Sequence, residues 1–257
     1  MQPAPTPEVM ISAHRCGAGD DREGENGLQA LQHSIDLGVD FVEFDVQRML
    51  SGEFVISHDI PHEGRELLAY EDILDALGPR VGAHIDFKFD SPEYLYDDFN
   101  LPYEIDAVRT AIEILGDPAR VLVTTNHVHS VRAVRDWSDA EGLDLKVGLS
   151  LGRLTRGMAW HERLATRVHE LFPARLIEES RANVVVVHHS LATLNVQRWA
   201  RAQGLPLLVW TVDDAPHLRW WLRDGMAWLV TSNHPALALD TRDRIRRRRT
   251  PAARGEC

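Results

Sequence analysis

Two short apolar stretches decide the fold class of this sequence: Val184-Val185-Val186-Val187 and Leu207-Leu208-Val209-Trp210. Each is a nearly continuous apolar run, which is typical of parallel strands that are covered on both faces. Between them, residues 192–203 have the pattern of a helix. A strand, a helix and a second strand in this order indicate a β–α–β unit of a parallel sheet.

The same alternation extends over the whole chain of 257 residues. The pattern predicts strands near 9–14, 40–46, 82–88, 120–125, 145–150, 183–189, 206–212 and 227–232. It predicts helices near 27–38, 69–77, 104–115, 130–141, 161–172, 192–203, 214–224 and 236–247, with Ser130 and Asp214 as N-caps. This succession favours a (β/α)8 TIM barrel, with a doubly wound open sheet as the alternative.

Composition excludes several classes of protein. Apolar residues are 44% and charged residues 26% of the chain, which is ordinary for a globular protein. The net charge of −11 argues against a general nucleic-acid binder. The two cysteines are too few for a disulfide scaffold, no apolar run approaches a membrane span, and the N-terminus lacks the pattern of a secretory signal. We therefore expect a soluble, cytoplasmic protein.

Positive charge is concentrated at the C-terminus. Residues 242–257 contain seven arginines and two acids, a net charge of +5, which leaves −16 for the rest. We predict a single barrel domain over residues 1–241 and an arginine-rich tail over residues 242–257. One interpretation of the tail is a helix end whose cations suit the helix dipole, followed by a frayed terminus. The other is weak contact with an anionic membrane surface.

Acidic residues lie where the second and third β/α strands are predicted to end, and TIM barrels have their active sites at those ends. Glu43 and Asp45 are two residues apart on one strand, so their side chains point to the same face. Asp86 repeats this pattern on the next strand. Carboxylates so close together repel unless a cation or a proton lies between them, and hard divalent cations prefer oxygen ligands. The sequence therefore predicts a divalent-metal site.

Basic and imidazole groups accompany this acidic cluster. Lys88 shares a face with Asp86 and is one of only two lysines in the chain. Lys88 and Arg15 suit phosphate oxygens, although a simple ion pair with Asp86 is an alternative for Lys88. His14 ends the first strand, and His58 follows the returning segment Phe54-Val55-Ile56. Imidazoles at such positions suggest proton transfer near neutral pH.

The segment 89–103 is rich in aromatic and acidic residues and follows the third β/α strand. It lies on the face where barrels have their active sites, so one interpretation is a lid. The other is a surface loop that packs on itself.

Six motifs, in their order along the chain, carry a resemblance to a known family: His14-Arg15, Glu25-Asn26, Glu43-x-Asp45, His58-Asp59, Asp86-Phe87-Lys88 and Trp210-Thr211-Val212. Together they resemble the glycerophosphodiester phosphodiesterase family. The resemblance extends from about Met10 to Pro235 and is strongest over residues 11–59. It implies a TIM barrel of the PLC-like phosphodiesterase type, in agreement with the fold that the element count predicts.

The resemblance also implies a role for each matched residue. It implies metal-dependent hydrolysis of glycerophosphodiesters to an alcohol and glycerol 3-phosphate, as part of phospholipid headgroup metabolism. One Mg²⁺ or Ca²⁺ would bind to Glu43, Asp45 and Asp86. His14 and His58 would act as general base and acid, and Arg15 and Lys88 would bind the phosphoryl oxygens. Trp210 would form part of the pocket wall, and Glu25 and Asn26 would support the mouth.

The sequence departs from the family pattern in ways that affect the expected substrate. Cys16 stands where the family usually has glycine, and Asp86 stands where it usually has glutamate. Only Ile60 to Ala69 separate the His58-Asp59 motif from the next predicted helix. The small insertion that members of the family usually have after this histidine is therefore largely absent. The alternatives are phospholipase D-like cleavage or cyclisation of lysophospholipids or sphingolipids, and a barrel that binds a phosphodiester without catalysis.

Overall fold

The computed structural model describes residues 8–61, 67–96, 101–152 and 159–249. Eight parallel strands close into a barrel, which confirms the predicted fold class. A ninth strand, β3, pairs antiparallel with the end of β2. The strands are β1 (Met10–Ala13), β2 (Phe41–Arg48), β3 (Phe54–Ile56), β4 (Gly82–Phe87), β5 (Val121–Thr125), β6 (Lys146–Leu151), β7 (Val184–His188), β8 (Leu207–Trp210) and β9 (Leu229–Ser232).

Helices follow the barrel strands in the predicted order. They are α1 (Leu28–Leu37), α2 (Tyr70–Leu77), α3 (Tyr103–Leu115), α4 (Val128–Ala140), α5 (Trp160–Leu171), α6 (Ala174–Ser180), α7 (His189–Leu191), α8 (Gln197–Gln203), α9 (Ala215–Trp221) and α10 (Pro235–Arg249). The one-turn helix α7 runs through a π-helical turn, Ala192–Val196, into α8. Helix α6 was not predicted, because the sequence pattern suggested a single helix between β6 and β7.

The barrel interior changes from apolar to polar towards the carboxyl ends of the strands. An apolar cluster fills the lower interior, formed by Phe41, Leu122, Val184, Val186, Leu208 and Leu229. The next inward positions on β2 and β4 are polar, because side chains alternate between the two faces of a strand. Glu43 pairs with His84 and Asp45 with Asp86 in the parallel register. The polar groups therefore lie at the mouth of the barrel.

The last helix packs against α9, α1 and β1, and its later part lies beside the amino ends of the strands. Helix α10 continues to Arg249, so the predicted tail boundary at residue 242 falls inside it. Arg242 Nη1 lies 2.6 Å from Asp40 Oδ2 and donates to the Val9 carbonyl at 3.4 Å. Val9 and Asp40 precede β1 and β2, so the arginine-rich end of α10 lies away from the mouth. Within the described ranges, no helix has the length and apolarity needed to span a membrane.

Candidate active site

The chain leaves β1 through a tight turn that carries His14 and Arg15 over the barrel mouth. Arg15 and Cys16 have φ values of 45° and 65°, in the left-handed region that non-glycine residues rarely adopt. Gly17 follows at φ 79°, and a Cβ there would lie 2.5 Å from Ser34 Oγ. The Arg15 amide donates to Glu43 Oε2 at 2.5 Å. Such backbone strain persists only where surrounding contacts fix it, and it is concentrated at functional sites.

Three carboxylates converge below this turn. One oxygen each of Glu43, Asp45 and Asp86 lies within 4.8 Å of the others. Glu43 and Asp45 are buried, and burial together with the two aspartates raises the pKa of Glu43 well above its usual range. Among the described residues, Asp45 Oδ1 accepts no hydrogen bond, although Lys88 Nζ lies 3.0 Å away as an ion pair. These oxygens fit the ligand set of a hard divalent cation.

The charges of the mouth support the same interpretation. Lys88 forms ion pairs with Asp86 and Asp45, and Arg15 Nε lies 3.2 Å from Asp45 Oδ2. Burial opposes the ionisation of Asp45, but Lys88 and Arg15 outweigh it and lower the pKa of this carboxyl. Four carboxylates and two side-chain cations meet here, namely Glu25, Glu43, Asp45 and Asp86 with Arg15 and Lys88. With all four carboxylates ionised, two negative charges remain; a divalent cation would balance them and would favour the ionised form of Glu43.

Glu25 and Asn26 lie beside these groups. Arg15 Nη1 donates to Glu25 Oε2 at 2.7 Å. Asn26 donates through Nδ2 to Asp45 Oδ2 at 2.9 Å and accepts from the Asp45 amide at 3.1 Å. This reciprocal pair fixes the orientation of the Asp45 carboxylate, because both ends of the amide are engaged. The structure thus brings both predicted supporting residues into contact with site groups.

His14 is oriented by a pair of residues that sequence reasoning missed. Asn233 donates through Nδ2 to Asp213 Oδ2 at 2.8 Å, so its Oδ1 faces His14 Nδ1, 2.7 Å away. An amide oxygen only accepts, so His14 carries its proton on Nδ1 and presents the lone pair of Nε2. Nε2 lies 4.0 Å from Glu43 Oε2. Burial lowers the pKa of His14, which keeps it neutral near pH 7. The position of Asn233, directly after β9, is the signal that could have indicated it.

A second buried chain of hydrogen bonds was also missed. His84 Nδ1 lies 3.0 Å from Ser12 Oγ, and Nε2 lies 3.1 Å from Thr124 Oγ1. Thr124 donates its hydroxyl proton to Asp86 Oδ1 at 2.6 Å, so it accepts from His84 Nε2. Burial lowers the pKa of His84 to about 3, and the imidazole is therefore neutral. This chain of hydrogen bonds fixes Oδ1 of Asp86 and leaves Oδ2 facing the mouth.

His58 and Trp210 lie at the mouth without touching the carboxylates directly. His58 follows β3, and its Nδ1 lies 2.8 Å from Asp59 Oδ1. It is close enough to Asp45 for its charge to help lower the pKa of that carboxyl. Trp210 ends β8 and packs edge-to-face on His188 at 5.4 Å. Its buried Nε1–H has no hydrogen-bond partner among the described residues, so it is available to a bound hydroxyl or phosphoryl oxygen.

The segment 89–103, for which a lid is one interpretation, is held in place by hydrogen bonds in the part that the structure describes. The buried Glu104 carboxylate accepts from the Ser91 hydroxyl, from Tyr96 at 3.0 Å and from Ser130 at 2.5 Å. Ser130 was expected to be an N-cap, but α4 begins earlier, at Val128. Ser130 instead joins the segment to α4 through Glu104. Residues 97–100 lie outside the described ranges, so the lid interpretation stays a prediction.

The fold and the site define the class of the protein: a (β/α)8-barrel enzyme with a carboxylate cluster at the carboxyl ends of its strands. Comparison with protein families then finds a similarity over part of the chain. The model of the glycerophosphoryl diester phosphodiesterase family matches residues 14–69. These residues include the turn after β1, all of β2 and both residues of the His58-Asp59 motif. No curated protein sequence matches the chain.

Solved structures share the fold at low sequence identity. A glycerophosphodiester phosphodiesterase from Parabacteroides distasonis has 16% identity and a TM-score of 0.68, with 96% of this chain and 100% of that chain covered. One from Thermotoga maritima has 16% identity and a TM-score of 0.60, covering 91% and 98%. An Oleispira antarctica phosphodiesterase, in complex with the product sn-glycerol-3-phosphate, has 17% identity and a TM-score of 0.62, covering 92% and 97%. The predicted resemblance is confirmed by the family model over residues 14–69, and the solved structures confirm the fold over nearly the whole chain.

Proposed function

We propose that this enzyme hydrolyses glycerophosphodiesters to an alcohol and glycerol 3-phosphate, with one Mg²⁺ or Ca²⁺ bound by Glu43, Asp45 and Asp86. The observation that carries the proposal is the convergence of these three oxygens within 4.8 Å of one another, below a neutral His14. The product in the Oleispira antarctica structure supports glycerol 3-phosphate as the phosphorylated product. The two cysteines are consistent with a cytoplasmic enzyme of phospholipid headgroup metabolism.

Each side chain at the mouth has its own role in phosphodiester cleavage. Arg15 and Lys88 bind the non-bridging phosphoryl oxygens, because both keep their charge in the presence of the buried carboxylates. His14 Nε2 accepts the proton of the attacking hydroxyl group, either from the substrate glycerol or from water. His58 donates a proton to the oxygen of the leaving alcohol, and Trp210 covers one side of the pocket. When bound, the divalent cation would neutralise developing negative charge on the phosphoryl group.

The shorter carboxylate at residue 86 is compatible with this site. Asp86 stands where the family usually has glutamate, yet its oxygen reaches the same cluster as Glu43 and Asp45. Thr124 binds the other oxygen from the neighbouring strand and holds the side chain in place. A barrel that only binds a phosphodiester is therefore the weaker alternative, since every group that the reaction needs is present at the mouth.

Identification of the products by ³¹P NMR tests the proposal. With glycerophosphocholine and Mg²⁺ or Ca²⁺, we expect the diester signal to be replaced by that of glycerol 3-phosphate, with release of choline. A folded sample that converts no glycerophosphodiester would contradict the proposal. A cyclic phosphate formed from lysophosphatidylcholine, with no turnover of the soluble diester, would instead establish the phospholipase D-like alternative.

A further inference from the structure

Three polar side chains lie inside the barrel, between its apolar lower interior and the carboxylates at its mouth. They are Ser12 on β1, His84 on β4 and Thr124 on β5, and all three are buried. Strand β2, which carries Glu43 and Asp45, lies between β1 and β4 in the barrel. The hydrogen bond between Ser12 and His84 therefore passes across the strand that holds two of the three metal-site carboxylates. We call Ser12, His84 and Thr124 the buried relay.

The hydrogen bonds of the buried relay all run in one direction. The Thr124 hydroxyl donates to Asp86 Oδ1 at 2.6 Å, so its oxygen accepts from His84 Nε2 at 3.1 Å. A neutral imidazole that carries its proton on Nε2 has only a lone pair at Nδ1. Nδ1 of His84 therefore accepts from the Ser12 hydroxyl, 3.0 Å away. Each member donates to the next, and the last proton points at Asp86.

The last bond of the relay determines how the Asp86 carboxylate is oriented. Oδ1 accepts from Thr124, and Oδ2 forms the ion pair with Lys88 at the mouth. The torsion that turns a carboxylate about its Cβ–Cγ bond is soft, so the side chain alone does not fix these two oxygens. Carboxylates that bind metal ions are themselves held by hydrogen bonds, and loss of such a partner weakens metal binding.

The stability of the barrel does not by itself require these bonds. When both partners of a buried hydrogen bond are replaced by apolar groups of the same shape, stability changes little. Thr231 on β9 offers a direct comparison, because it is also a buried threonine on the inner face of the barrel, two residues after Leu229 of the apolar cluster. Its hydroxyl has no hydrogen-bond partner among the residues that the structure describes. An inward threonine of this barrel therefore does not need a relay.

We propose that the buried relay positions Asp86 for the divalent cation and thereby sets the affinity of the site for that cation; this rests on the proposed function. Thr124 is the positioning residue in direct contact with Asp86. His84 acts through Thr124, because its Nε2–H occupies the hydroxyl oxygen and leaves the hydroxyl proton for Asp86. Ser12 acts through His84, because it donates to Nδ1 and so keeps the imidazole proton on Nε2.

Calorimetric titration of the metal-free protein with Mg²⁺ and with Ca²⁺ tests this inference. Thr124→Val keeps the shape of the side chain and removes the hydroxyl. We expect it to raise Kd for the cation by about 10- to 100-fold, the range for residues that orient a metal ligand. Thr124→Ser restores the hydroxyl and should restore binding. The matched control is Thr231→Val, which removes a buried hydroxyl that has no partner in the described part of the chain, and its Kd should equal that of the wild type.

Ser12→Ala is the second variant, and it keeps the test decisive if Thr124→Val does not fold. It removes one oxygen atom and no longer fixes the His84 proton on Nε2. The Nε2 lone pair then competes with Asp86 for the Thr124 proton, so we expect a smaller rise in Kd. Long-range ¹H–¹⁵N NMR measures the tautomer of His84 directly. We expect the proton on Nε2 in the wild type, and a proton on Nδ1 would overturn the relay.

The ³¹P NMR assay of glycerophosphocholine separates this inference from the proposed function. The cation concentration that gives half-maximal turnover should rise together with Kd in Thr124→Val. The inference is overturned if Thr124→Val binds the cation as tightly as the wild type, if Thr124→Ser binds as weakly as Thr124→Val, or if the wild type binds neither cation. A raised Kd in Thr124→Val, without turnover of any diester by the wild type, would reject the proposed function and keep the relay.

Discussion

Glu43→Gln is expected to lower kcat for glycerophosphocholine by about 10³-fold or more, since it removes one charged metal ligand from the mouth. The substitution preserves shape, and the amide oxygen still accepts from the Arg15 amide. Burial already raises the pKa of Glu43 well above its usual range, so a neutral side chain is compatible with the fold. We therefore expect the free energy of unfolding to stay at or above the wild-type value.

Glu104→Gln provides the matched control, because Glu104 is a second buried glutamate outside the metal cluster. It accepts hydrogen bonds from three hydroxyl groups. The NH2 group of a glutamine at this position would point at hydroxyl groups that themselves donate hydrogen bonds. We expect a loss of roughly 1–3 kcal/mol in the free energy of unfolding, with turnover largely retained. Urea unfolding and steady-state kinetics measure both quantities. Wild-type turnover in Glu43→Gln would exclude Glu43 as an essential metal ligand.

His14→Ala is expected to lower kcat by about 10²–10⁴-fold, the range of a general base, while the affinity for the metal is unchanged. Asn233→Ala should have a smaller effect of the same kind. It leaves the imidazole in place but removes the oxygen that fixes its proton on Nδ1. The control is His33→Ala, which removes an exposed histidine of α1 and should keep wild-type turnover.

Kinetics and calorimetric metal titration together distinguish this role from a structural one. A base that acts on the attacking hydroxyl changes kcat with little change in metal binding. If His14→Ala kept substantial turnover, His14 would not be the base. If it lost metal binding instead, the histidine would support the carboxylates and take no part in proton transfer.

The barrel and the position of the carboxylates could be predicted because both depend on short-range periodicity. Continuous apolar runs such as Val184–Val187 predict strands buried on both faces. The two-residue spacing of Glu43 and Asp45 fixes their common face, and the parallel register with β4 then brings Asp86 alongside. Asp214 is also confirmed as an N-cap, since it accepts from the His217 amide at 3.1 Å.

The roles of the residues that were missed depend on hydrogen bonds between different strands, which the local sequence pattern does not determine. Asn233 and His14 form a hydrogen bond although nearly the whole length of the sequence separates them. His84 is linked to Asp86 through the hydroxyl group of Thr124 on the next strand. The sequence predicts Ser130 as an N-cap because serine is favoured there, but its hydroxyl donates to the Glu104 carboxylate of α3. Each of these roles depends on which strands and helices become neighbours, and local pattern does not determine that.

Removal and restoration of the divalent cation tests the central claim most directly. Purified protein would be dialysed against EDTA and assayed for choline release from glycerophosphocholine, before and after addition of Mg²⁺ or Ca²⁺. We predict that turnover is lost in EDTA while the protein stays folded, and that one of the two cations restores it. Undiminished turnover by the metal-free protein would contradict the assignment of Glu43, Asp45 and Asp86 as a catalytic metal site.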